Sequence, residues 1–307
     1  MSNKSFEEIV ELWRADKKQY VKRSTYSAYS LLIMNHLLPE FSDKTDVSEI
    51  MVQDFVFKKL EQGLSQKSVK DILVVLKMIL RFAVKHGHID HQELEVRFPT
   101  EREHPEVEVL TRANQKCIMK YVQDHFTFPN LGIYICLSAG LRIGEVCALT
   151  WDDIDTERGV IRVSKTIQRI YVVEGEKKHT EVIIDTPKSK NSIREIPIVR
   201  DLLKMIKPIK KVVNGKFYVL TNSLQPTEPR TYRNYYKRLM ADLDMPKLKF
   251  HGLRHSFATR CIESKCDYKT VSVLLGHSNI STTLNLYVHP NMEQKKRCVE
   301  QMFKTLR

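Results

Sequence analysis

Four segments of the sequence contain side chains suited to handling a phosphate group. Arg142 lies between two glycines at the start of a helical pattern, and His251 and Arg254 lie three residues apart, on one face of another. The other candidates are two lysines in a turn-like stretch and a histidine and a tyrosine ten residues apart: Lys188, Lys190, His277 and Tyr287. Each is ordinary alone, because arginines and lysines usually face solvent and tyrosines at helical spacing usually pack in cores.

Taken together, these residue types fit phosphoryl transfer. The reaction needs positive charge around the phosphate oxygens, a nucleophile, and a proton donor for the leaving oxygen. Arginine offers a permanently charged fork for phosphate, histidine exchanges protons near neutral pH, and lysine can act as a general acid. A tyrosine can be the covalent nucleophile, but its ordinary pKa of ~10 leaves about 0.1% ionised at pH 7, so it needs a base or nearby cations.

The charge balance indicates a polyanionic partner. The chain has 307 residues, with 50 Lys and Arg against 37 Asp and Glu, a formal net charge of +13 and a pI near 9.3. We expect nucleic acid first and an anionic membrane surface second. The longest apolar or small-residue stretch, 131–141, is shorter than the ~20 residues of a spanning helix.

The six cysteines show no CxxC pair and no regular spacing. This pattern favours free thiols in a reducing cytoplasm over a disulfide framework or a zinc site. The N-terminus also lacks the apolar core of a secretory signal, so we expect a cytoplasmic protein.

An uneven charge distribution and a proline-containing segment divide the chain. Residues 1–100 carry 15 basic and 14 acidic side chains, so nearly the whole surplus lies in residues 101–307. Two prolines and a run of charges in residues 98–106 discourage regular structure. We therefore expect a helical domain, a linker and a second domain: 1–97, 98–109 and 110–307.

The first domain has the pattern of four or five helices. Ser5-Phe-Glu-Glu8 fits a capping box before a helical run. A second run opens at Ser24 or Thr25, and Pro39 is expected to stop it. Further helices are predicted over about 51–60 and from Ser65 up to a C-cap at Gly87.

The second domain combines helices with a few strands. Helices are predicted from Thr111, over 130–140, over 143–149, and again from Asp201 onward. Between them, alternating patterns predict one small antiparallel meander of strands at 160–167, 169–173, 181–185 and 193–199. The expected fold is mainly α with a small antiparallel β-sheet, an α+β class.

The order Arg–Lys–His-x-x-Arg–His–Tyr closely resembles the tyrosine recombinase (phage integrase) family. The matching residues are Gly140-Leu-Arg142-Ile-Gly-Glu145, Lys188, His251-Gly-Leu-Arg254-His, Leu275-Gly-His277-Ser and Tyr287. The match covers about residues 110–290, and the helical first domain is similar to the family's core-binding, SAM-like domain. The turn at 186–197 and the step from His277 to Tyr287 resemble integrases of conjugative transposons and temperate phages more than chromosome-dimer resolvases.

The resemblance implies a site-specific DNA recombinase, an integrase of a mobile element. Tyr287 would attack a scissile phosphate and leave a 3′-phosphotyrosine and a free 5′-hydroxyl. That hydroxyl on a partner duplex would then attack the phosphotyrosine and exchange strands. Because the covalent intermediate keeps the ester bond energy, the resemblance implies neither ATP nor a metal or other cofactor.

The resemblance also implies a role for each matching side chain in the catalytic domain. Arg142 and Arg254 would clamp the phosphate. His251 would accept the proton of Tyr287, and His277 would hydrogen-bond the phosphate. Lys188 would protonate the leaving oxygen.

The choice between two lysines for the general acid stays open on geometry alone. In an extended turn, residues two apart can point the same way, so Lys188 and Lys190 are both eligible. We favour Lys188, because it follows Pro187 as in the related integrase pattern.

Partners follow from the same resemblance. We expect four protomers on two double-stranded DNA sites, with the C-terminal tail, about 291–307, exchanged between protomers. An excisionase or architectural protein is a further candidate partner, no membrane partner is expected, and the nucleoid is the expected location.

Candidate DNA contacts are Thr25, Lys67, Lys70, Lys190 and Arg194. Many such integrases carry a further N-terminal arm-binding domain; nothing precedes Ser5, so we expect a simple recombinase or a truncated chain.

Three other functions use parts of the same pattern. A catalytically silent relative would only hold DNA, and a type IB topoisomerase-like enzyme would relax DNA without joining two duplexes. A metal-dependent nuclease or zinc enzyme would use His251, His255, His277 and His289, but the sequence has no HExxH pattern and no carboxylate cluster.

Overall fold

The computed structural model of the chain describes residues 4–90, 94–100, 108–174, 177–187, 190–287 and 292–306. The chain divides into two compact units. The first comprises Met1–His104 and Ile170–Glu181, and the second comprises Pro105–Arg169 and Val182–Arg307. The division near His104 falls within the segment expected to be a linker, of which residues 101–107 lie outside the described residues.

The first unit is helical. Its described residues form five α-helices: α1 (Phe6–Lys17), α2 (Arg23–Leu32), α3 (Leu38–Phe41), α4 (Glu49–Glu61) and α5 (Gln66–Lys85). The predicted capping box is present, since the Ser5 hydroxyl accepts from the Glu8 amide and the Glu8 carboxylate accepts from the Ser5 amide. Ser65 caps α5, and Gly87 follows that helix with φ +67°.

The prediction that Pro39 ends a helix is wrong. After α2, the chain makes a π-helical turn over Ile33–Leu37 and continues directly into α3. Pro39 lies in the first turn of α3, directly after the π-helical turn, where its missing N–H removes one donor from the helical ladder without ending the helical path. Leu37 and Phe41 on either side of it are buried, so tertiary packing keeps the helical path.

The core of this unit is organised around α5. Its buried residues follow helical spacing: Val69, Ile72, Leu73, Val75, Leu76, Ile79, Leu80 and Ala83. The ring of Phe41 meets Phe6 and Phe55 at centroid distances of 5.7 and 5.3 Å. Each fully buried side chain of this size contributes about 1.5–3 kcal/mol to folding, so the core gives the helices a defined arrangement.

Two strands form a hairpin, β3 (Thr166–Glu174) and β4 (Lys177–Asp185), and its distal part belongs to the first unit. The Tyr171 amide donates to the buried Ser27 hydroxyl at 2.8 Å. Arg23 forms an ion pair with Glu181. These contacts join β3 and β4 to α2.

The second unit contains nine α-helices among the described residues. They are α6 (Arg112–Asp124), α7 (Phe128–Ala139), α8 (Ile143–Ala148), α9 (Arg200–Lys210), α10 (Pro229–Asp242), α11 (His251–Glu263), α12 (Tyr268–Leu275), α13 (Ile280–Tyr287) and α14 (Met292–Lys304). Helix α7 is buried on nearly all sides, which places it at the centre of the core.

The strands do not form the single predicted meander. A three-stranded antiparallel sheet has the order β1 (Ile154–Asp155), β2 (Val160–Val163) and β5 (Arg194–Pro197), and β3 with β4 forms a separate pair. Ile161 lies opposite both Ile154 and Ile196, and all three are buried. The polar pair Ser164 and Lys165 separates β2 from β3, so the alternation does not continue through one strand.

Among the helices in the described part of the chain, none combines the length and the apolar character needed to cross a membrane.

Candidate active site

A tight turn positions Arg142. Helix α7 ends at Gly140, whose φ of +65° favours glycine, and a Cβ there would lie 2.5 Å from the ring of Phe257. Two residues later, Arg142 is the N-cap of α8. The Gly-Leu-Arg sequence therefore places Arg142 between the end of α7 and the start of α8, with its side chain 36% exposed.

Arg142 and Arg254 meet at the same backbone segment. Arg254 donates from Nη2 to the Leu275 carbonyl at 2.6 Å and from Nη1 to the Gly140 carbonyl at 2.9 Å. Arg142 donates to the carbonyls of Leu275 and Gly276, each at 3.4 Å. Arg254 is 2% exposed, so one guanidinium is buried while the other opens to solvent. This places two permanent positive charges side by side, as a phosphate clamp requires.

A buried carboxylate holds the exposed arginine. Glu145 accepts the Arg142 amide at 2.9 Å and its Nη1 at 2.8 Å. Both oxygens of Glu145 also accept from Arg194, at 3.1 and 2.9 Å. Burial would raise the pKa of Glu145, but the hydrogen bonds from Arg194 and the charges of Arg194 and Arg142 outweigh it, so that pKa lies below its ordinary value.

This network corrects the expectation that Arg194 contacts DNA. Its side chain is 4% exposed, and its Nε donates to the Leu274 carbonyl at 2.7 Å. A guanidinium enclosed by a carboxylate and carbonyls cannot reach a DNA backbone without leaving them. Arg194 therefore supports the site from within.

His251 begins α11, one turn before Arg254, as their spacing predicts. Desolvation and the positive charges of Arg254 and Arg142 lower the pKa of His251. Its ring lies edge-on to His255, with 4.5 Å between centroids. His251 is thus neutral at pH 7 and can accept a proton.

His277 follows the turn that ends α12. Gly276 caps that helix with φ +65°, and a Cβ there would lie 2.9 Å from the Asn191 carbonyl oxygen. Desolvation and then the charge of Arg254, with those of Arg142 and Arg194, lower the pKa of His277 to about 4. Nδ1 of His277 lies 2.8 Å from the Thr283 hydroxyl oxygen.

The remaining predicted site residues are placed only in part. Tyr287 is the last residue of α13, which follows His277. Lys188 lies outside the described residues, and Lys190 begins a 3₁₀ turn, Lys190–Ser192.

The predicted DNA contacts of the first unit lie at its surface. Lys67 and Lys70 are exposed on α5, and Thr25 is half-buried on α2. The Lys70 Nζ lies 4.9 Å from the centroid of the Phe98 ring. DNA binding by these three residues stays a prediction.

A groove beside His251 contains cations that sequence analysis missed. Its volume is about 410 Å³, and its lining combines three basic side chains with an apolar floor: Arg233, Lys237, Lys249, His251, Leu141, Ile143, Leu248 and Phe250. Arg233 and Lys237 are exposed and one helical turn apart on α10, each next in sequence to a buried tyrosine, Tyr232 or Tyr236. That amphipathic pattern is the sequence signal that could have identified them.

In the part of the chain that the structure describes, no three His, Cys, Asp or Glu side chains form a group that could hold a metal ion. His289, one candidate of the zinc alternative, lies outside the described residues.

Comparisons with known proteins identify the family of the chain. The phage integrase family model matches residues 108–294, and the model of the phage integrase N-terminal SAM-like domain matches residues 5–59. A tyrosine recombinase XerC-like protein of Caldanaerobacter subterraneus subsp. tengcongensis is 32% identical over 279 residues, covering 83% of this chain and 71% of that protein. The ICEBs1 integrase of Bacillus subtilis is 27% identical, covering 97% of this chain and 82% of that protein.

Solved structures show the same fold. The Tn1549 transposon integrase in complex with transposon right end DNA superposes with a TM-score of 0.79 at 21% identity, covering 97% of this chain and 99% of that chain. A lambda integrase tetramer bound to a Holliday junction has a TM-score of 0.67 at 17% identity, covering 93% and 78%. The chain therefore belongs to the phage integrase family and is a tyrosine recombinase, an enzyme of site-specific DNA recombination.

Proposed function

We propose that this recombinase integrates and excises a mobile element by cutting and rejoining DNA strands through a 3′-phosphotyrosine at Tyr287. The observation that carries the proposal is the pair of guanidinium groups of Arg142 and Arg254. Both donate to the Leu275 carbonyl, two residues before His277 and on the helix–turn segment that leads to Tyr287. The ICEBs1 integrase and the Tn1549 transposon integrase, by their names, support a mobile element as the substrate.

In the first step, the Tyr287 oxygen forms a bond to the scissile phosphorus as the bond to the 5′-oxygen breaks. His251 takes the phenol proton, and Lys188 gives a proton to the leaving 5′-oxygen. In the second step, a 5′-hydroxyl attacks the phosphotyrosine and gives its proton to Lys188, while the bond from phosphorus to the Tyr287 oxygen breaks and His251 returns the proton to that oxygen. One phosphodiester is lost and one is made, so the exchange needs no external energy source.

The electrostatics of the site suit these roles. Because the lowered pKa values keep His251 and His277 neutral at pH 7, one can accept a proton and the other can donate a single N–H. Arg142 and Arg254 then stabilise the negative charge that develops on the phosphate oxygens. Hydrogen bonds to backbone carbonyls and to Glu145 already fix the positions of these two arginines.

The assembly extends the proposal. Helix α14 carries exposed apolar side chains, including Val299, Met302 and Phe303. Exposed apolar residues at helical spacing favour a protein surface as their partner. We expect this tail to pack on a neighbouring protomer in a tetramer on DNA, with an excisionase or architectural protein as an additional partner and the bacterial nucleoid as the location.

The decisive experiment is Tyr287→Phe on a suicide DNA substrate, which traps the covalent adduct. The variant removes only an oxygen, so DNA binding is retained while the covalent adduct is lost. Tyr268→Phe, on the exposed surface of α12, is the matched control and forms the adduct at the wild-type rate.

Adduct formation by Tyr287→Phe would assign the nucleophile elsewhere. A wild-type chain that binds but never forms an adduct would be a DNA-binding relative. A chain that forms the adduct but never joins two duplexes would be a relaxing enzyme.

A further inference from the structure

Thr283 is buried beside the phosphate clamp and has an unusual hydrogen bond. It lies on α13, has 0% exposed surface, and its Oγ1 lies 2.8 Å from Nδ1 of His277. A threonine in a helix commonly donates its hydroxyl to a backbone carbonyl one turn earlier. Among the described residues, no carbonyl accepts from Thr283, and its hydrogen bond goes to the His277 ring.

The direction of this hydrogen bond follows from burial. If Nδ1–H donated to Oγ1, the hydroxyl proton of Thr283 would be buried without an acceptor among the described residues, which costs about 1–3 kcal/mol. If the hydroxyl donates to Nδ1, both groups are satisfied. The second arrangement puts the ring's single proton on Nε2, because a neutral imidazole has one N–H.

A neutral ring is what the surroundings dictate. Desolvation and the charges of Arg254, Arg142 and Arg194 disfavour the imidazolium, and the pKa of His277 falls to about 4. The tautomer therefore decides whether Nε2 can donate to a phosphate oxygen or only accept, and an acceptor facing an anion would repel it.

We propose that Thr283 is a positioning residue: its hydroxyl donates to Nδ1 of His277 and holds the ring with Nε2–H directed at the phosphate that Arg142 and Arg254 clamp. This inference rests on the proposed function for its catalytic consequence. The tautomer itself is a property of the free protein. Thr283 touches no reacting atom and acts only through His277.

The test combines four substitutions in the 307-residue chain with two measurements. Thr283→Val keeps the shape but removes the hydroxyl, Thr283→Ser retains it, and Thr282→Val is the matched control at the exposed neighbour. Two-bond nitrogen–proton NMR of histidine-labelled protein identifies the protonated nitrogen, with His277→Asn assigning the signal. Cleavage of a suicide DNA substrate gives the rate.

Wild type, Thr283→Ser and Thr282→Val are expected to show one Nε2–H tautomer, and Thr283→Val a mixture. We expect cleavage to slow by about tenfold to hundredfold in Thr283→Val, and to stay within about threefold of wild type in Thr283→Ser and Thr282→Val. Rescue by serine separates a hydroxyl effect from a packing effect.

An Nδ1–H tautomer in the wild-type chain would overturn the proposal without any variant, even if Thr283→Val does not fold. An unchanged tautomer and rate in Thr283→Val would also overturn it. Absence of wild-type cleavage would instead contradict the proposed function, while the tautomer spectra would still decide the role of Thr283.

Discussion

Arg194 and Glu145 form a buried, bidentate ion pair. Nη1 and Nη2 of Arg194 donate to the two carboxylate oxygens at 3.1 and 2.9 Å, and the side chains are 4% and 2% exposed. The same carboxylate accepts from Arg142, which faces the site. Arg194 thus neutralises and orients the carboxylate that holds Arg142.

The first prediction is that Arg194→Met destabilises the protein by about 3–5 kcal/mol, because it leaves a buried charge network with one partner removed. The midpoint of urea denaturation measures the loss. Arg194→Lys retains the charge but not the fork, so it is expected to lose less stability.

Arg158→Met breaks the exposed pair with Glu195 and serves as the control, with little change in midpoint. Cleavage should fall in Arg194→Met even at temperatures where the variant is folded, because Glu145 no longer holds Arg142 in place. Wild-type stability and cleavage in Arg194→Met would contradict this account.

The second prediction concerns pH. The pKa of His277 is about 4 in the folded chain against an ordinary 6.5, so the unfolded chain takes up a proton between these values while the folded chain does not. Above pH 6.5 both states are neutral at this residue and the free energy of unfolding is unaffected. As the pH falls from 6.5 to 4, proton uptake by the unfolded chain lowers the free energy of unfolding. Thermal midpoints measured across that window should decrease, and less steeply in His277→Asn.

The control variant is His86→Asn, at an exposed histidine of the first unit. Equal slopes for wild type and His277→Asn would show that the folded chain does not disfavour the charged His277.

The third prediction assigns the general acid. A 5′-bridging phosphorothiolate releases a thiolate, which leaves without a proton and bypasses the acid. Lys188→Ala should be severely slow on normal DNA and largely rescued on the sulfur substrate. Lys190→Ala should show a milder, salt-sensitive binding defect without rescue, as expected for a backbone contact.

Rescue of Lys190→Ala alone would move the general acid to Lys190. Rescue of neither variant would remove this turn from proton transfer.

The sequence alone determined the family and most of the elements. The order of Arg142, His251, Arg254, His277 and Tyr287 is a matter of residue type and spacing. Helices such as α5 were predictable because an apolar stripe of period 3.6 is visible in one short segment. The capping box at Ser5 is equally local.

Tertiary structure decided what depends on residues far apart in the chain. Arg194 looked like a basic turn residue available to DNA, but its partner Glu145 lies 49 residues away and no periodicity connects them. Pro39 was predicted to end a helix, but the chain stays helical on both sides of it because Leu37 and Phe41 are buried in the core. The strand pairing of β2 with β5 likewise depends on the shared burial of Ile161 and Ile196.

The anchoring of Arg142 and Arg254 also depends on distant segments. Arg142 and Arg254 can be recognised from their motifs, but backbone carbonyls have no residue identity. Only the folded chain shows that Leu275 accepts from both arginines across 133 and 21 residues. The type of each side chain can be read directly from the sequence, whereas the partners of a buried charge are set by packing between distant segments. For this reason the sequence could nominate candidate residues for the site but not the groups that hold them in place.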